Sequence, residues 1–595
     1  MFLSQLYNLS LYPRRIVVKR TMSAADTFVY DDTLDNEVIE KPFISKEMQI
    51  VNDSNNGVYN NQILFSTSNL TGSGKYIDFQ NSYIEIPVTM MLKADASITA
   101  GANAFMMGLK DGSIQLVDSI ILQYNGTSVA QNSIFSNVLQ HFKILSSWSY
   151  EDLIKWGPAT YTWPDEPTAA HFQDAKAGPF GDGTSNTQVT PFNVSSNAQW
   201  AASQMSYNEG YLNRMRNAAF NGTSNGLISM TTANLSTVGR SHFTDNGGAG
   251  AAKVYVWQML VTLRCKDLHD FFNKIPILKA GRIDMTINFN SFSNTITYVN
   301  GAGNTDGSLV TLTNVQLSGH SCPYLVSGAA VTGGASNTQT QPNGILGNAA
   351  TLTVGLGING VRGVSVFNGI QSDTINNCRW YVPLYEMNPE YEASLLASNP
   401  LKTIYYDDFY TYANINAQNG SFTSLITSGV KNPKYLILFP FFNSAQANSG
   451  NVGSYAPYQS CFDTAPGTSS PITLSNFQVQ CGGKTLFPLI QQYTFQQFMD
   501  EFSSIFAVNG GKSEKLTSGL ISRQMWENSP VYVADLSRRL PQDDESAKSV
   551  QVSATVSSRN PTTPGGNAVI DIIAFVVYQR SATFNMVSGN LESAT

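Results

Sequence analysis

Charge is scarce in this chain. Asp, Glu, Lys and Arg make up 13% of the 595 residues, about half the ~25% usual for soluble domains. The polar surface must therefore come from Asn, Ser, Thr, Gln and Gly. Sparse charge fits flanks covered by neighbouring subunits, and equally a β-rich extracellular or viral chain that simply carries little charge. The net charge of −7 and the pI of about 5.4 exclude a global basic field that would coat nucleic acid. Cysteine is rare too. Cys265, Cys322, Cys378, Cys461 and Cys481 are far apart, odd in number and form no CxxC pair. That argues against a disulfide framework or a zinc knuckle and suits a reducing compartment. Long apolar runs are missing. The longest, around Ile572–Tyr578, has the length of a strand, not the ~20 residues of a membrane helix.

Histidine is equally thin: His141, His171, His242, His269 and His320, no two spaced to share a metal. There is no HExxH and no GxSxG, so neither a zinc protease nor a serine-hydrolase elbow is written in the chain. His141 and His269 lie beside apolar helix positions and read as packed or surface side chains. Gly483-Lys484-Thr485 looks like the tail of a phosphate loop, but a full loop needs Gly where Gln478 stands. Strand patterns on both sides make a hairpin turn at Gly482-Gly483 the better reading. Asp543, Asp544 and Glu545 form an acidic cluster without the Gly-spaced pattern of a calcium loop. Sequons such as Asn69-Leu70-Thr71, Asn125-Gly126-Thr127 and Asn221-Gly222-Thr223 arise readily in a chain this rich in Asn, Ser and Thr. The expectation is thus no catalytic residue, no cofactor-binding residue, no metal ligand and no enzyme activity.

What is present is alternation. Ile283, Met285, Ile287 and Phe289 interleave with Arg282, Asp284, Thr286 and Asn288, a strand with one dry and one wet face. Tyr255, Trp257, Met259, Val261 and Leu263 share a face in the same way. Further strands are expected over Ile63–Thr67, Tyr83–Leu92 and Ile114–Tyr124, with Pro87 marking an edge or a bulge. Leu352, Val354, Leu356 and Ile358 alternate, as do Val550, Val552, Ala554 and Val556. Ala568–Tyr578 is nearly all apolar, as a strand buried on both faces would be. Helices are few. Ser133–Leu145 has i, i+3, i+4 spacing. Tyr207–Phe220 reads as a short helix. Pro389 opens another behind the cap Asn388. Thr494 and Gln497 form a capping-box pattern before the apolar face Phe495, Phe498, Met499, Phe502 and Phe506.

Many short strands with long excursions predict a mainly β chain of two antiparallel sandwiches. The expected division is an N-terminal arm 1–46, a first sandwich 47–292 with an insertion at about 158–253, a linker 293–310, a second sandwich 311–590 and a tail 591–595. In the arm, Met1–Ala25 holds four basic residues and no acid, and Asp26–Glu40 holds six acids. A transit-like peptide, a basic arm, and an upstream extension (1–21) of a chain starting at Met22 all fit. A secretory signal fits poorly.

Four stretches carry a family likeness: Leu263–Asn290 (LRCKDLHDFFNKIPILKAGRIDMTINFN), Leu516–Val552 (with SGLIS…DLSRR), Tyr381–Phe409 and Ser206–Phe220. The chain resembles the major capsid proteins of polinton-like viruses and virophages from about Phe65 to Gly589. That resemblance implies a double jelly-roll of two eight-stranded antiparallel sandwiches. It implies a structural capsid protein of the virion, with homotrimers serving as pseudo-hexameric capsomers that tile an icosahedral shell around a double-stranded DNA genome. Implied partners are neighbouring capsomers, a penton protein, and a maturation protease and packaging ATPase, with the DNA contacted only indirectly and no transmembrane segment. The loops Pro158–Lys253, Ser318–Asn348 and Asn443–Ser470 would form towers on the outer face, and Arg538 and Arg539 would pair with Asp535. Two other readings stay open from the residues: a β-sandwich surface adhesin or lectin binding glycans, and a jelly-roll glycoside hydrolase with two facing carboxylates.

Overall fold

The computed structural model describes residues 42–94 (except 56, 58 and 60), 105–109, 111–164 (except 131 and 132), 215–217, 241–245, 253–290, 292–299, 311–313, 324–328, 349–358, 377–442 (except 419), 472–502 (except 487–489), 519–537, 546–558 and 569–594. In chain order, β1 (Phe43–Asn52), β2 (Gln62–Ser66), β3 (Tyr76–Ile77) and β4 (Tyr83–Ala94) lead into an excursion carrying β5 (Phe105–Leu109). The hairpin β6 (Val117–Tyr124) and β7 (Thr127–Ala130) follows. A second excursion holds β8 (Met215–Asn217) and β9 (Ser241–Asp245) and returns as β10 (Lys253–Arg264). After β11 (Leu278–Lys279) and β12 (Ile283–Phe289), a third carries β13 (Phe292–Val299), β14 (Thr311–Thr313), β15 (Tyr324–Gly328) and β16 (Ala349–Ile358) before β17 (Arg379–Met387) closes the lobe.

Among these, eight strands make a sandwich. β1, β17, β4 and β10 lie side by side in one sheet; β2, β12, β6 and β7 form the other. Counted along the lobe, the orders are first–eighth–third–sixth and second–seventh–fourth–fifth, the wrapping of a jelly-roll. The second lobe repeats it. Its strands are β18 (Leu401–Gln418), β19 (Gly420–Val430), β20 (Pro433–Phe442), β21 (Ile472–Cys481), β22 (Lys484–Thr485), β23 (Ile490–Gln492), β24 (Tyr532–Asp535), β25 (Lys548–Ser558), β26 (Val569–Asn585) and β27 (Leu591–Ala594). One sheet runs β18–β26–β20–β24. The other runs β19–β25–β21, with β22 and β23 sharing the last edge. The chain is a double jelly-roll, mainly β and antiparallel.

Side-chain alternation accounts for the faces. Along β12, Ile283, Met285, Ile287 and Phe289 are buried while Asp284, Thr286 and Asn288 are half-buried. Met259, Val261 and Leu263 of β10 are buried, and Val550, Val552, Ala554 and Val556 of β25 point inward. β26 lies between β18 and β20, so Ile570 and Ile572–Val577 are buried on successive positions, as the unbroken apolar run requires. The Ser133–Leu145 periodicity becomes the Ser136–Ser147 helix. The Asn388 cap with Pro389 at the first turn holds, as does the Thr494–Gln497 box, where each side chain meets the other's backbone N–H.

Three expectations change. Pro87 does not mark an edge: β4 has β10 on one side throughout, while on the other β17 covers Tyr83–Glu85 and β16 covers Val88–Ala94. Pro87 sits in the gap where one partner hands over to the next, and there the missing N–H costs no ladder bond. The stretch expected as linker holds β13, which pairs with β16 in the sheet of β4. The strands β14, β16 and β17, expected in the second sandwich, therefore lie in the sheet of the first lobe, and the second lobe's strands begin at β18. Within Tyr207–Phe220, the described residues Met215–Asn217 form a strand against β5, not a helix.

That strand belongs to a small third sheet, β15–β5–β8. Each member comes from a different excursion of the first lobe, so the three excursions are stitched together by backbone pairing.

Candidate assembly surfaces and the seam between the lobes

Two apolar cores meet along a seam that both lobes build. The Ser136–Ser147 helix leaves the first lobe after β7, yet Val138, Leu139, Phe142 and Leu145 belong to the core of the second. Phe142 lies 5.6 Å from Phe439 and 5.1 Å from Phe502, ring centre to ring centre. In return Ile404, Tyr406, Ala582 and Phe584 of the second lobe enter the core of the first, with Tyr406 5.3 Å from Phe271. Phe142→Ala should cost about 3–5 kcal/mol, read as a shifted denaturant midpoint; a loss below 1 kcal/mol would mean the helix is not a shared core element.

Polar contacts pin the same seam. The Tyr406 hydroxyl donates to Val129 O at 2.8 Å, Ser133 Oγ to Phe409 O at 2.9 Å, and Asp407 N to Asp270 Oδ2 at 2.9 Å. The most buried group is Asp408. His269 Nε2 lies 3.3 Å from its Oδ1, and Arg580 Nη1 and the Tyr578 hydroxyl approach Oδ2 at 3.1 and 3.2 Å. His269 Nδ1 accepts the Phe271 N–H at 3.1 Å, so the proton on Nε2 faces the carboxylate. Burial alone would push the Asp408 carboxyl up, but His269, the Phe409 amide and the Arg580 charge outweigh it and hold it below the usual range.

A second fastening lies at the C-terminal end. Tyr124 Oη donates to Gly589 O at 2.7 Å, and Asn125 Nδ2 reaches the same carbonyl at 3.3 Å. Gly589 has φ +70°, and a Cβ there would fall 1.8 Å from Lys279 O.

His141, His269 and the described cysteines are engaged in packing contacts. His141 is fully buried, with Nε2 3.0 Å from Asp111 Oδ2 and Nδ1 2.9 Å from Gln115 Nε2. Both histidines thus pair with an aspartate, but the second ring nitrogen faces an amide or a backbone N–H where a nucleophile would have to stand. Burial pushes the Cys265 thiol up to about 12 and raises Cys378 as well, so neither is a thiolate at neutral pH. Gly482 and Gly483, both at positive φ, turn the hairpin between β21 and β22; Lys484 and Thr485 are strand residues. Asp535 accepts from Ser537, while Arg538, Arg539, Asp543, Asp544, Glu545, His171, His320, Cys322 and Cys461 lie outside the described residues. So do the proposed tower loops apart from β8, β9, β15, the Pro158–Pro164 end and Lys253. Among the described residues no group of three or more His, Cys, Asp or Glu could hold a metal ion, and no helix is long and apolar enough to cross a membrane.

The surface features are apolar. Among the described residues β1 pairs only with β17, and Ile44, Met48 and Ile50 on its outward side are exposed. They lie beside half-buried Tyr381 and Tyr385. Tyr150 and Ile154 are exposed one turn apart on the Tyr150–Thr160 helix, as are Leu401 and Tyr405 on β18.

No known family profile matches the sequence, and no curated protein matches it. Solved structures do. A chain in the cryo-EM structure of the Sputnik virophage is 12% identical, with 93% of this chain and 89% of that one covered and a TM-score of 0.46. The mavirus major capsid protein is 11% identical over 92% and 90%, at 0.38. The Faustovirus major capsid protein is 11% identical over 91% and 91%, at 0.40.

Proposed function

We propose that this chain is a major capsid protein of the virophage and polinton-like type, acting as a structural tile and not as an enzyme. The observation that carries the reading is the doubled jelly-roll within one chain, its lobes interlocked through shared cores. Three copies of a two-lobed chain present six like lobes, so a trimer fills a hexagonal position in a closed shell. The resembling stretches agree with this placement. Leu263–Asn290 and Leu516–Val552 span the same corner, from sixth to seventh strand, in the first and second roll.

In this reading the homotrimers tile an icosahedral shell around double-stranded DNA, beside a penton protein, and the protein resides in the virion. A packaging ATPase and a maturation protease act in assembly without being part of the tile. The excursions of the first lobe supply the outward towers. The exposed strip Ile44, Met48 and Ile50 on the free edge of β1 is covered by a neighbouring copy, since an apolar strand edge left in water invites pairing.

Sizing by light scattering, followed by electron microscopy, tests this. The expected species is a trimer near three times 64.8 kDa that forms shells under assembly conditions. The double variant Met48→Glu/Ile50→Glu should yield a folded monomer. A wild-type monomer that binds or cleaves glycans would reject the capsid reading.

A further inference from the structure

The seam inside the chain has a half-built counterpart on its outside. In both rolls the eighth strand runs between the first strand and the start of the third, so the rolls align residue by residue. In the second, Tyr578 of β26 stands between Asp408 of β18 and Pro433 of β20. In the first, Tyr381 of β17 stands between Ile50 of β1 and Tyr83 of β4. Ile50 therefore matches Asp408, Met48 matches Tyr406, and Pro383 matches Arg580. The matched positions on the first strands differ in cover. Tyr406 and Asp408 are 1% and 0% exposed, because the first roll lies on them. Met48 and Ile50 are 45% and 40% exposed.

The covering strand repeats as well. Tyr406 and Arg580 are met by the fifth strand of the first roll: Val129 O accepts from the Tyr406 hydroxyl at 2.8 Å, and Ser128 O from Arg580 Nη2 at 3.3 Å. That strand, β7, leaves β6 through the turn Asn125-Gly126, both residues at positive φ. In the second roll β22 leaves β21 through Gly482-Gly483, again both at positive φ. Counted from the turns, Lys484 matches Thr127 and Thr485 matches Ser128. Lys484 and Thr485 are exposed. One chain thus carries one finished seam and two separate halves of another. One half is the apolar first-strand face of the first roll, the other the exposed fifth strand of the second.

We propose that the face of Met48 and Ile50 docks on β22 of a second copy, in the arrangement that joins β18 to β7 within the chain. The contact is head-to-tail: each copy offers its first roll to one neighbour and its second roll to the other. It is apolar where the inner seam is ionic, since Ile50 and Pro383 stand in the places of Asp408 and Arg580. An exposed apolar strand face is a surface that calls for such cover. This contact rests on the reading of the chain as a self-assembling tile, and adds which surface meets which.

Two variants of the full chain spoil one half each. Met48→Glu/Ile50→Glu puts unpaired charge on the face, and Lys484→Glu/Thr485→Glu puts it on the strand. All four side chains are exposed, so each variant should keep the wild-type Tm. By light scattering each alone should fall from the trimer to the 64.8 kDa monomer. Mixed, the two should give a dimer of twice that mass and nothing larger, because the intact strand of one meets the intact face of the other and no further pair of intact halves remains. A second measurement does not depend on the glutamate variants folding. A short bis-maleimide added to a mixture of Met48→Cys and Thr485→Cys should trap a covalent dimer that neither variant nor the wild type forms alone. The proposal is overturned if the wild type is a trimer and Lys484→Glu/Thr485→Glu leaves it one, if the mixed glutamate variants, each folded, stay monomeric, or if the mixed cysteine variants do not cross-link; the capsid reading survives all three results. A wild-type monomer removes that reading and this contact together.

Discussion

Replacing Gly589 by alanine should pull the C-terminal hairpin off the first lobe. Two costs add. The residue sits at φ +70°, where an L side chain is strained, and its Cβ would lie 1.8 Å from Lys279 O. That neighbour is backbone and cannot swing aside. Strain and overpacking of this kind together cost roughly 3–5 kcal/mol. If the hairpin withdraws to avoid the clash, Tyr124 Oη and Asn125 Nδ2 lose their shared acceptor. The seam then also loses the contact between Tyr124 and Phe584, whose rings stand 5.1 Å apart. Denaturant unfolding should show the loss, and amide exchange should show β27 and the neighbouring end of β26 opening first. Tyr124→Phe separates the two causes. It removes one hydrogen bond, worth about 1 kcal/mol, and leaves the backbone fit untouched. Wild-type stability for Gly589→Ala would mean the fastening is not part of the fold's energetics.

Much of the architecture was legible because strands with one wet face advertise themselves. β12 and β25 alternate without a break, and β26 carries the unbroken apolar run Ile572–Val577 because it has a strand on each side and is buried on both faces there. The lobe boundary was not legible. β13 and β16 lie in the sheet of the first lobe through pairing with β4, a partner some 260 residues upstream in the case of β16, and nothing in the local pattern of either names that partner. Pro87 misled for a related reason. A proline normally demotes a strand to an edge, yet here the interior ladder happens to change partners at that residue. The seam was hidden most deeply. Asp408 stands in an unremarked run of β18, and no spacing rule links it to His269 or Arg580. Only the sheet registers bring these three side chains together, so the packed-histidine reading of His269 was sound while its partner stayed out of sight.

Asp408→Ala should rank with the most damaging single changes in the chain. Asp408 is 0% exposed, and it answers a guanidinium, an imidazole N–H and a phenol at once. Removing the carboxylate leaves the Arg580 charge half-buried without its counter-ion, and breaking such a pair from one side typically costs about 3–5 kcal/mol. Asp408→Asn should cost less, because an amide oxygen still accepts. Acid makes the same point without mutation. The folded carboxyl is held below its ordinary value of 3.8, so its contribution is complete above that value. It drains away as the pH falls through the lower, folded value. Unfolding free energies measured at pH 7 and again below pH 4 should therefore fall more steeply for the wild type than for Asp408→Asn, which has no proton to take up. Equal slopes would show that the charge on Asp408 contributes nothing to holding the two rolls together, and that apolar interlocking through Phe142, Tyr406 and Phe584 carries the seam alone.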